Sequence, residues 1–238
     1  EWKTKNVDIP DLPKPKPGDY TKVYLMDKVG APQSEIRIGY VSNMTYDATG
    51  EYFKTSLMNY SLGGAFNSRI NLNLREDKGW TYGARSGFSG NDRGSQFTAS
   101  AGIKASATDS AVVEFIKEIK GFQEDGITKD ELNFMRNSIG QRDARRYETP
   151  FQKAGFLGNI IRYDLDGSYV DKQADIIQNI TREEINALAK KYLNTENAYI
   201  LVVGDGSTNR DKLKALGYEV IDVTEKGDII APIQEGSE

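Results

Sequence analysis

The sequence that decides the fold is GGAFNSRI at Gly63–Ile70, followed closely by LREDKGWTYG at Leu74–Gly83. The two adjacent glycines are predicted to end a helix over 49–62, because glycine is a weak helix former and a frequent helix stop. Asn67 or Ser68 can then cap a second helix, which ends at the next glycine. A strand is predicted to follow, so the segment reads as helix, turn, helix, bend and strand.

This arrangement places Arg75 in the last turn of the second helix and Tyr82 near the start of the following strand, with Gly79 at the bend. A guanidinium and a phenol at one helix-to-strand corner can both donate hydrogen bonds to a peptide carbonyl oxygen, and arginine keeps its charge at any working pH. A purely structural interpretation is also open. Arg75 would then stabilise the helix C-terminus by about 0.3–1 kcal/mol, and Tyr82 would pack on the sheet.

The composition excludes several kinds of active site. The chain of 238 residues contains no histidine and no cysteine, so it can form neither a zinc site with imidazole or thiolate ligands nor a disulfide. A histidine general base is excluded for the same reason. The formal net charge of −4, from 31 basic and 35 acidic residues, lacks the basic footprint of a nucleic-acid-binding protein. The longest apolar runs, such as Ala198–Val203, are strand-sized, so no membrane span is predicted.

The chain divides into a predicted linker, one domain and a tail. Residues 1–19 alternate prolines with lysines, a composition that favours extended polyproline II structure and predicts a linker to a preceding part of the protein. The missing initial methionine agrees with a processed or cut chain. Residues 20–224 are predicted to form the folded domain, and the polar residues 225–238 a flexible tail.

Strands and helices come in clusters along the domain. An apolar stripe at helical spacing runs over 112–122. Helix starts are predicted at Thr149 before Pro150 and at two capping boxes, Thr128 with Glu131 and Thr181 with Glu184. Strand-like runs lie at 22–26, 35–41, 81–88, 96–103, 199–203 and 219–223. Because strands and helices do not alternate one by one, the pattern predicts an α/β chain with an antiparallel-rich or mixed sheet backed by helices on one face.

The motif at 63–83 resembles the pitrilysin/insulinase family of zinc metallopeptidases, which includes the mitochondrial processing peptidases. Three further segments match that family: GAPQS at 30–34, GITKDEL at 126–132 and VVGD at 202–205. The resemblance extends over residues 20–217 of the chain. It implies the α+β sandwich of the LuxS/processing-peptidase-like metallohydrolase fold, with an antiparallel-rich mixed sheet backed by helices.

In that family two homologous halves face each other across an enclosed chamber. One half holds zinc with an HxxEH motif and a downstream glutamate, and the other contacts the bound peptide through an arginine and a tyrosine, which match Arg75 and Tyr82. A chain without histidine resembles the second, non-catalytic half. The resemblance therefore implies that Arg75 and Tyr82 bind substrate, that this chain has no catalytic residue and no metal ligand, and that zinc lies in the partner half.

The resulting hypothesis is that this chain is the C-terminal, non-catalytic half of a zinc metalloendopeptidase. It would bind extended peptide, complete the proteolytic chamber and be inactive alone, with its zinc-bearing half in the same chain or in a separate subunit. Two alternatives stay open: a structural scaffold subunit, and a stand-alone peptide-binding module without proteolysis. Because family members occur in the bacterial envelope, the periplasm or cell envelope is the favoured compartment.

Overall fold

The computed structural model describes residue 13 and residues 15–91, 93–143 and 148–231. Within these ranges, six strands form one sheet. The strands are β1 (Lys22–Asp27), β2 (Gln33–Val41), β3 (Ala84–Asn91), β4 (Gly94–Lys104), β5 (Tyr199–Gly204) and β6 (Glu219–Asp222).

Eight α-helices accompany the sheet in the same ranges. They are α1 (Glu51–Asn59), α2 (Arg69–Asn71), α3 (Thr108–Asp125), α4 (Lys129–Asp143), α5 (Pro150–Tyr163), α6 (Tyr169–Asn179), α7 (Arg182–Tyr192) and α8 (Gly206–Ala215). Two helices continue into π-helical segments, α1 into Tyr60–Gly64 and α2 into Leu72–Asp77, and a 3₁₀ turn at Ala105–Ala107 precedes α3. Of the helices described, none is both long enough and apolar enough to cross a membrane.

The sheet is mixed, as the sequence predicted, with the strand order β3-β4-β2-β5-β1-β6. The neighbours among β3, β4, β2 and β5 are antiparallel, whereas β5, β1 and β6 are parallel to one another. β1 and β2 are consecutive in sequence, yet β5 lies between them. The turn that joins them crosses the end of β5, where Lys28 donates its backbone N–H to the Gly204 carbonyl (2.8 Å) and Gly30 donates to the Asp205 carboxylate (2.8 Å).

One side of the sheet is buried against the helices, and the other side is more exposed. Side chains alternate along β2, where Ile36 and Ile38 are buried while Glu35 and Arg37 are exposed. Such alternation is expected of a strand with one covered face. The apolar stripe predicted on α3 joins the same core, in which Phe115 is fully buried. Full burial of a side chain of this kind contributes about 1.5–3 kcal/mol.

The predicted helix starts are confirmed. Thr149 caps α5 ahead of a proline in the first turn, and Thr181 with Glu184 forms the reciprocal capping box of α7. At α4, the Thr128 hydroxyl accepts from the Glu131 N–H (3.2 Å), and the Glu131 carboxylate accepts from the Thr128 N–H (2.7 Å). Each cap satisfies donors that the first helical turn leaves unpaired, and is worth about 1 kcal/mol.

The described part of the predicted tail begins with a hydrogen-bonded turn. Thr224 donates its N–H to the Asp228 carbonyl (2.9 Å), and Ile230 donates to the Asp222 carbonyl (2.8 Å). These bonds fold the chain back along the end of β6. Much of the predicted linker and tail lies outside the described residues, at 1–12, 14 and 232–238. The limits of the linker, domain and tail therefore stay a prediction.

Candidate peptide-binding site

The two glycines of the motif lie within the π-helical segment Tyr60–Gly64. They continue the helix by one wider turn, contrary to the prediction that they stop it, and the chain leaves helical geometry at Ala65. Gly63 brings this turn against β3, because a Cβ added to it would lie 2.6 Å from the backbone nitrogen of Ser86. Such π turns are rare and occur frequently at functional sites.

Arg69, the first residue of α2, joins this segment to the helical layer. Its Nε and Nη2 donate to the two carboxylate oxygens of Glu131 (2.6 and 2.8 Å), and Nη2 also donates to the Gly126 carbonyl (2.7 Å). The guanidinium carbon lies 4.6 Å from the centre of the Phe122 ring. Burial acts to raise the pKa of Glu131, but hydrogen bonds from Arg69 and Thr128 outweigh it and lower that pKa below its ordinary 4.5. Arg69 therefore has a structural role.

We expect Arg69→Ala to lower the free energy of unfolding by about 2 kcal/mol, because it removes charge-assisted hydrogen bonds from a half-buried carboxylate. Since the folded-state pKa of Glu131 is lowered, its ionised form stabilises the fold above the unfolded pKa, and this stabilisation is lost as the pH falls through the folded value. The deficit of the variant should therefore shrink as the pH drops below 4.5. Urea unfolding of both proteins at neutral pH and in acid measures this.

Lys54→Ala is the matched control for this experiment. Lys54 makes a single, more exposed ion pair with Glu184 at 2.9 Å, so its loss should cost less than about 1 kcal/mol. A deficit of Arg69→Ala that is no larger than the control's, or that is constant with pH, would contradict the structural role of the Arg69 network.

Arg75 lies in the second π-helical segment, Leu72–Asp77, which is followed by Gly79 with a left-handed φ of 61°. Its Nε faces the carboxylate of Glu76 at 3.3 Å, and its guanidinium carbon lies 4.5 Å from the centre of the Phe66 ring. The side chain is 37% exposed, and no hydrogen-bond partner of either Nη group is found in the described part of the chain. Both Nη groups are therefore available to a ligand.

Tyr82 follows the bend, two residues before β3, and is 91% exposed. The Thr81 hydroxyl accepts from the Gly83 N–H (3.1 Å) and donates to the Gly83 carbonyl (3.0 Å), so Tyr82 lies at the tip of a tight turn. Before this turn, the backbone N–H of Trp80 donates to the Leu74 carbonyl (3.0 Å). The Trp80 carbonyl accepts from the backbone N–H of Lys104, the last residue of β4 (3.0 Å). Because it is so exposed, Tyr82 does not pack on the sheet, which removes the structural interpretation of this side chain.

The structure places Arg75 and Tyr82 on either side of one corner. Neither a hydrogen bond nor a ring contact joins the two side chains within the described residues, so their polar ends are not occupied by each other. Both ends are hydrogen-bond donors, and a carbonyl oxygen has two lone pairs to receive them. Across the described ranges, no three His, Cys, Asp or Glu side chains form a group that could hold a metal ion. Arg75 and Tyr82 therefore present exposed hydrogen-bond donors at this corner.

Asn71 holds this corner together and was not identified from the sequence. The residue is 3% exposed, and its side-chain amide donates to the Phe66 carbonyl (2.7 Å) and accepts from the Ala84 N–H (2.9 Å). It ties the loop before α2 to the first residue of β3, from the same helical segment that carries Arg75. A single buried amide gives no periodic signal in a sequence. Its asparagine-rich surroundings, INLN at 70–73, were the available hint.

Side chains of the neighbouring helices hydrogen-bond to part of the outer edge of β3. In addition to the Asn71 bond, Asn59 donates its amide to the Ser86 carbonyl (2.8 Å) and Tyr52 donates its hydroxyl to the Phe88 carbonyl (3.3 Å). Addition of a peptide strand to an edge requires free backbone groups at alternate positions. Three backbone groups on this edge, the Ala84 N–H and the carbonyls of Ser86 and Phe88, are therefore already hydrogen-bonded and not free to pair with an added strand.

A family model described as the peptidase M16 inactive domain matches residues 1–139, which is more than half of the chain and includes the whole corner. The chain belongs to this family. The match confirms the resemblance to the pitrilysin/insulinase zinc peptidases, and it identifies the chain as an inactive C-terminal M16 domain.

Solved structures of similar proteins agree with the fold. An M16 inactive domain from Pseudomonas fluorescens is 22% identical, with a TM-score of 0.74 over 84% of this chain and 47% of that one. A protease from Helicobacter pylori is 17% identical, with a TM-score of 0.69 over 84% of this chain and 49% of that one. The periplasmic protease PqqL from Escherichia coli is 17% identical, with a TM-score of 0.63 over 76% of this chain and 20% of that one. The M16 domain described here spans about half the length of the first two structures. No match was found among curated proteins.

Proposed function

We propose that this chain is the non-catalytic half of a zinc metallopeptidase, in which Arg75 and Tyr82 hold an extended peptide substrate. The observation that carries the proposal is the corner itself, where a braced turn presents a phenol that is 91% exposed and two Nη groups that have no hydrogen-bond partner among the described residues. A zinc-bearing homologous half with an HxxEH motif would complete the proteolytic chamber. It would lie in the same chain or in a separate subunit.

Arg75 and Tyr82 act in this proposal by binding and orientation. Their N–H and O–H groups donate to a backbone carbonyl of the peptide, which fixes the register of the substrate without reading its side chains. Holding the reacting group in one geometry lowers the entropic part of the barrier. The zinc of the partner half would supply a polarised water for attack on the scissile carbonyl.

The exposure of Tyr82 supports peptide binding over a scaffold role. A phenol that is 91% exposed contributes little to stability, so a scaffold subunit gives no reason for its position. A bacterial envelope location is part of the proposal, and the similarity to a periplasmic protease of Escherichia coli supports it.

The test is the composition of the native species that contains this chain. Its intact mass, zinc content and peptidase activity would be measured together, beside those of the isolated chain. We expect a zinc-containing, active species much larger than this chain, and a zinc-free, inactive isolated chain. A native species of this chain alone that lacks zinc but binds extended peptide would replace the proposal by the stand-alone binding module. An active assembly that is insensitive to changes at Arg75 and Tyr82 would replace it by the scaffold.

A further inference from the structure

The corner that carries Arg75 also exposes apolar surface. Phe66 is 60% exposed, and Leu72, three residues before Arg75 in the same π-helical segment, is 39% exposed. By contrast, Ile70 and Leu74 of the same motif are fully buried and account for its contribution to the core. Apolar surface beside a few unoccupied polar groups is typical of ligand-binding sites. The exposed side chains of this motif therefore need a different explanation from the buried ones.

The Phe66 ring packs against the guanidinium of Arg75. Its carbonyl accepts the Asn71 amide hydrogen bond (2.7 Å), and its ring centre lies 4.5 Å from the guanidinium carbon of Arg75. The stacked cation fixes the orientation of the ring and of its own Nη groups. A ligand that binds those Nη groups therefore has the uncovered part of the phenyl ring beside it.

We infer, resting on the proposed function, that Phe66 and Leu72 form a subsite that selects peptides with a bulky apolar side chain next to the carbonyl held by Arg75 and Tyr82. In an extended peptide, successive side chains point to opposite sides, so one neighbour of that carbonyl faces the corner. Covering the Phe66 ring with an aromatic or branched aliphatic side chain removes apolar surface of both from water. A lysine or arginine there would meet the Arg75 charge and is disfavoured.

The test uses the native assembly that contains this chain and two quenched-fluorescent peptides in a serine and glycine background. The peptides differ at one position, phenylalanine in one and alanine in the other. For the wild type, we expect kcat/KM to be about tenfold higher for the phenylalanine peptide, as for a partly covered apolar side chain. Phe66→Ala should reduce that preference to about twofold; loss of the stack on Arg75 lowers kcat/KM for both peptides by a common factor, which cancels in the ratio of the two values.

A second variant, Leu72→Ser, leaves the Arg75–Phe66 stack in place and should lower the preference in the same direction. Equal losses on both peptides in Phe66→Ala would mean that the ring only supports Arg75. Any of three results would overturn the subsite. They are equal losses on both peptides in Phe66→Ala, a phenylalanine preference that is unchanged in both variants, and a wild type without that preference.

Arg75→Ala separates this inference from the proposed function. It should lower kcat/KM for both peptides, because a backbone carbonyl is common to both. If Arg75→Ala leaves both peptides unaffected, the proposed function fails and the subsite fails with it. If Arg75→Ala lowers kcat/KM for both peptides and the phenylalanine preference persists in the Phe66 and Leu72 variants, only the subsite fails.

Discussion

In the proposed assembly with a zinc-bearing half, Arg75→Ala is expected to lower kcat/KM by about 10²-fold, the usual cost of losing the orientation of a bound substrate. The fold should be unaffected, because the Nη groups have no hydrogen-bond partner in the described residues and the Glu76 pair is an exposed one at 3.3 Å. Steady-state kinetics on a quenched-fluorescent peptide, with thermal unfolding of the same preparations, would measure both quantities.

Two further variants define what the arginine contributes. Arg75→Lys keeps the charge but loses the planar fork, so it should recover only part of the activity. Tyr82→Phe removes a single hydroxyl and should cost about tenfold, the value of one hydrogen bond. Arg37→Ala is the control, because Arg37 is also exposed and also faces a nearby glutamate, Glu35, at 3.6 Å. If Arg37→Ala and Arg75→Ala reduce kcat/KM equally, Arg75 acts only through its charge. That result would refute direct hydrogen bonding of Arg75 to the substrate.

Local signals in the sequence predicted the local parts of the fold. The capping boxes at Thr128 and Thr181 mark helix starts, because the cap and its partner lie within four residues of each other. The hairpin of β3 and β4 was predicted for the same reason, although its first strand begins three residues later than expected. Signals that are confined to one turn of chain can be read without knowing the rest of the molecule.

The position of β5 between β1 and β2 could not be predicted in this way. The pairing of Leu25 with Val202 joins residues that are far apart in the sequence, and an apolar strand carries no record of its neighbours. The π-helical segments were not predicted either, since the close approach of Gly63 to Ser86 of β3 joins residues that are 23 positions apart in the sequence.

The candidate site was only partly accessible to sequence reasoning. The spacing of Arg75 and Tyr82 predicted one corner but left a structural interpretation open, and the family resemblance supplied the peptide-binding role. The exposure of Tyr82 and the Arg75–Phe66 stack required coordinates. Asn71 is a clear example of the difference, because its importance lies in two backbone groups that the fold brings to it.

Gly63→Ala is expected to lower the free energy of unfolding by about 3 kcal/mol, the upper end of the usual cost of overpacking. A Cβ at this position would lie 2.2 Å from the Ser86 Oγ and 2.6 Å from the Ser86 backbone nitrogen. The hydroxyl can rotate away only by giving up its hydrogen bond to the Asn59 Oδ1 (2.6 Å), and the nitrogen belongs to β3 and moves only if the strand or the π turn moves. For a domain of this size, the corresponding decrease in Tm is about 6–12 °C.

Gly121→Ala, in the middle of α3, is the matched control, because a Cβ there meets nothing within 4 Å. It should stabilise the protein by about 0.5–1 kcal/mol through the better helix propensity of alanine. Ser86→Ala combined with Gly63→Ala should not restore the loss, because it also removes the hydrogen bond from the Ser86 hydroxyl to the buried Asn59 Oδ1 (2.6 Å) and leaves the clash with the nitrogen. Opposite signs for the two glycine variants in urea unfolding would establish that Gly63 is required for close approach. If the two variants have the same sign, the π turn can move away from β3, and the support that the turn gives to the strand leading from Tyr82 is weaker than the contact implies.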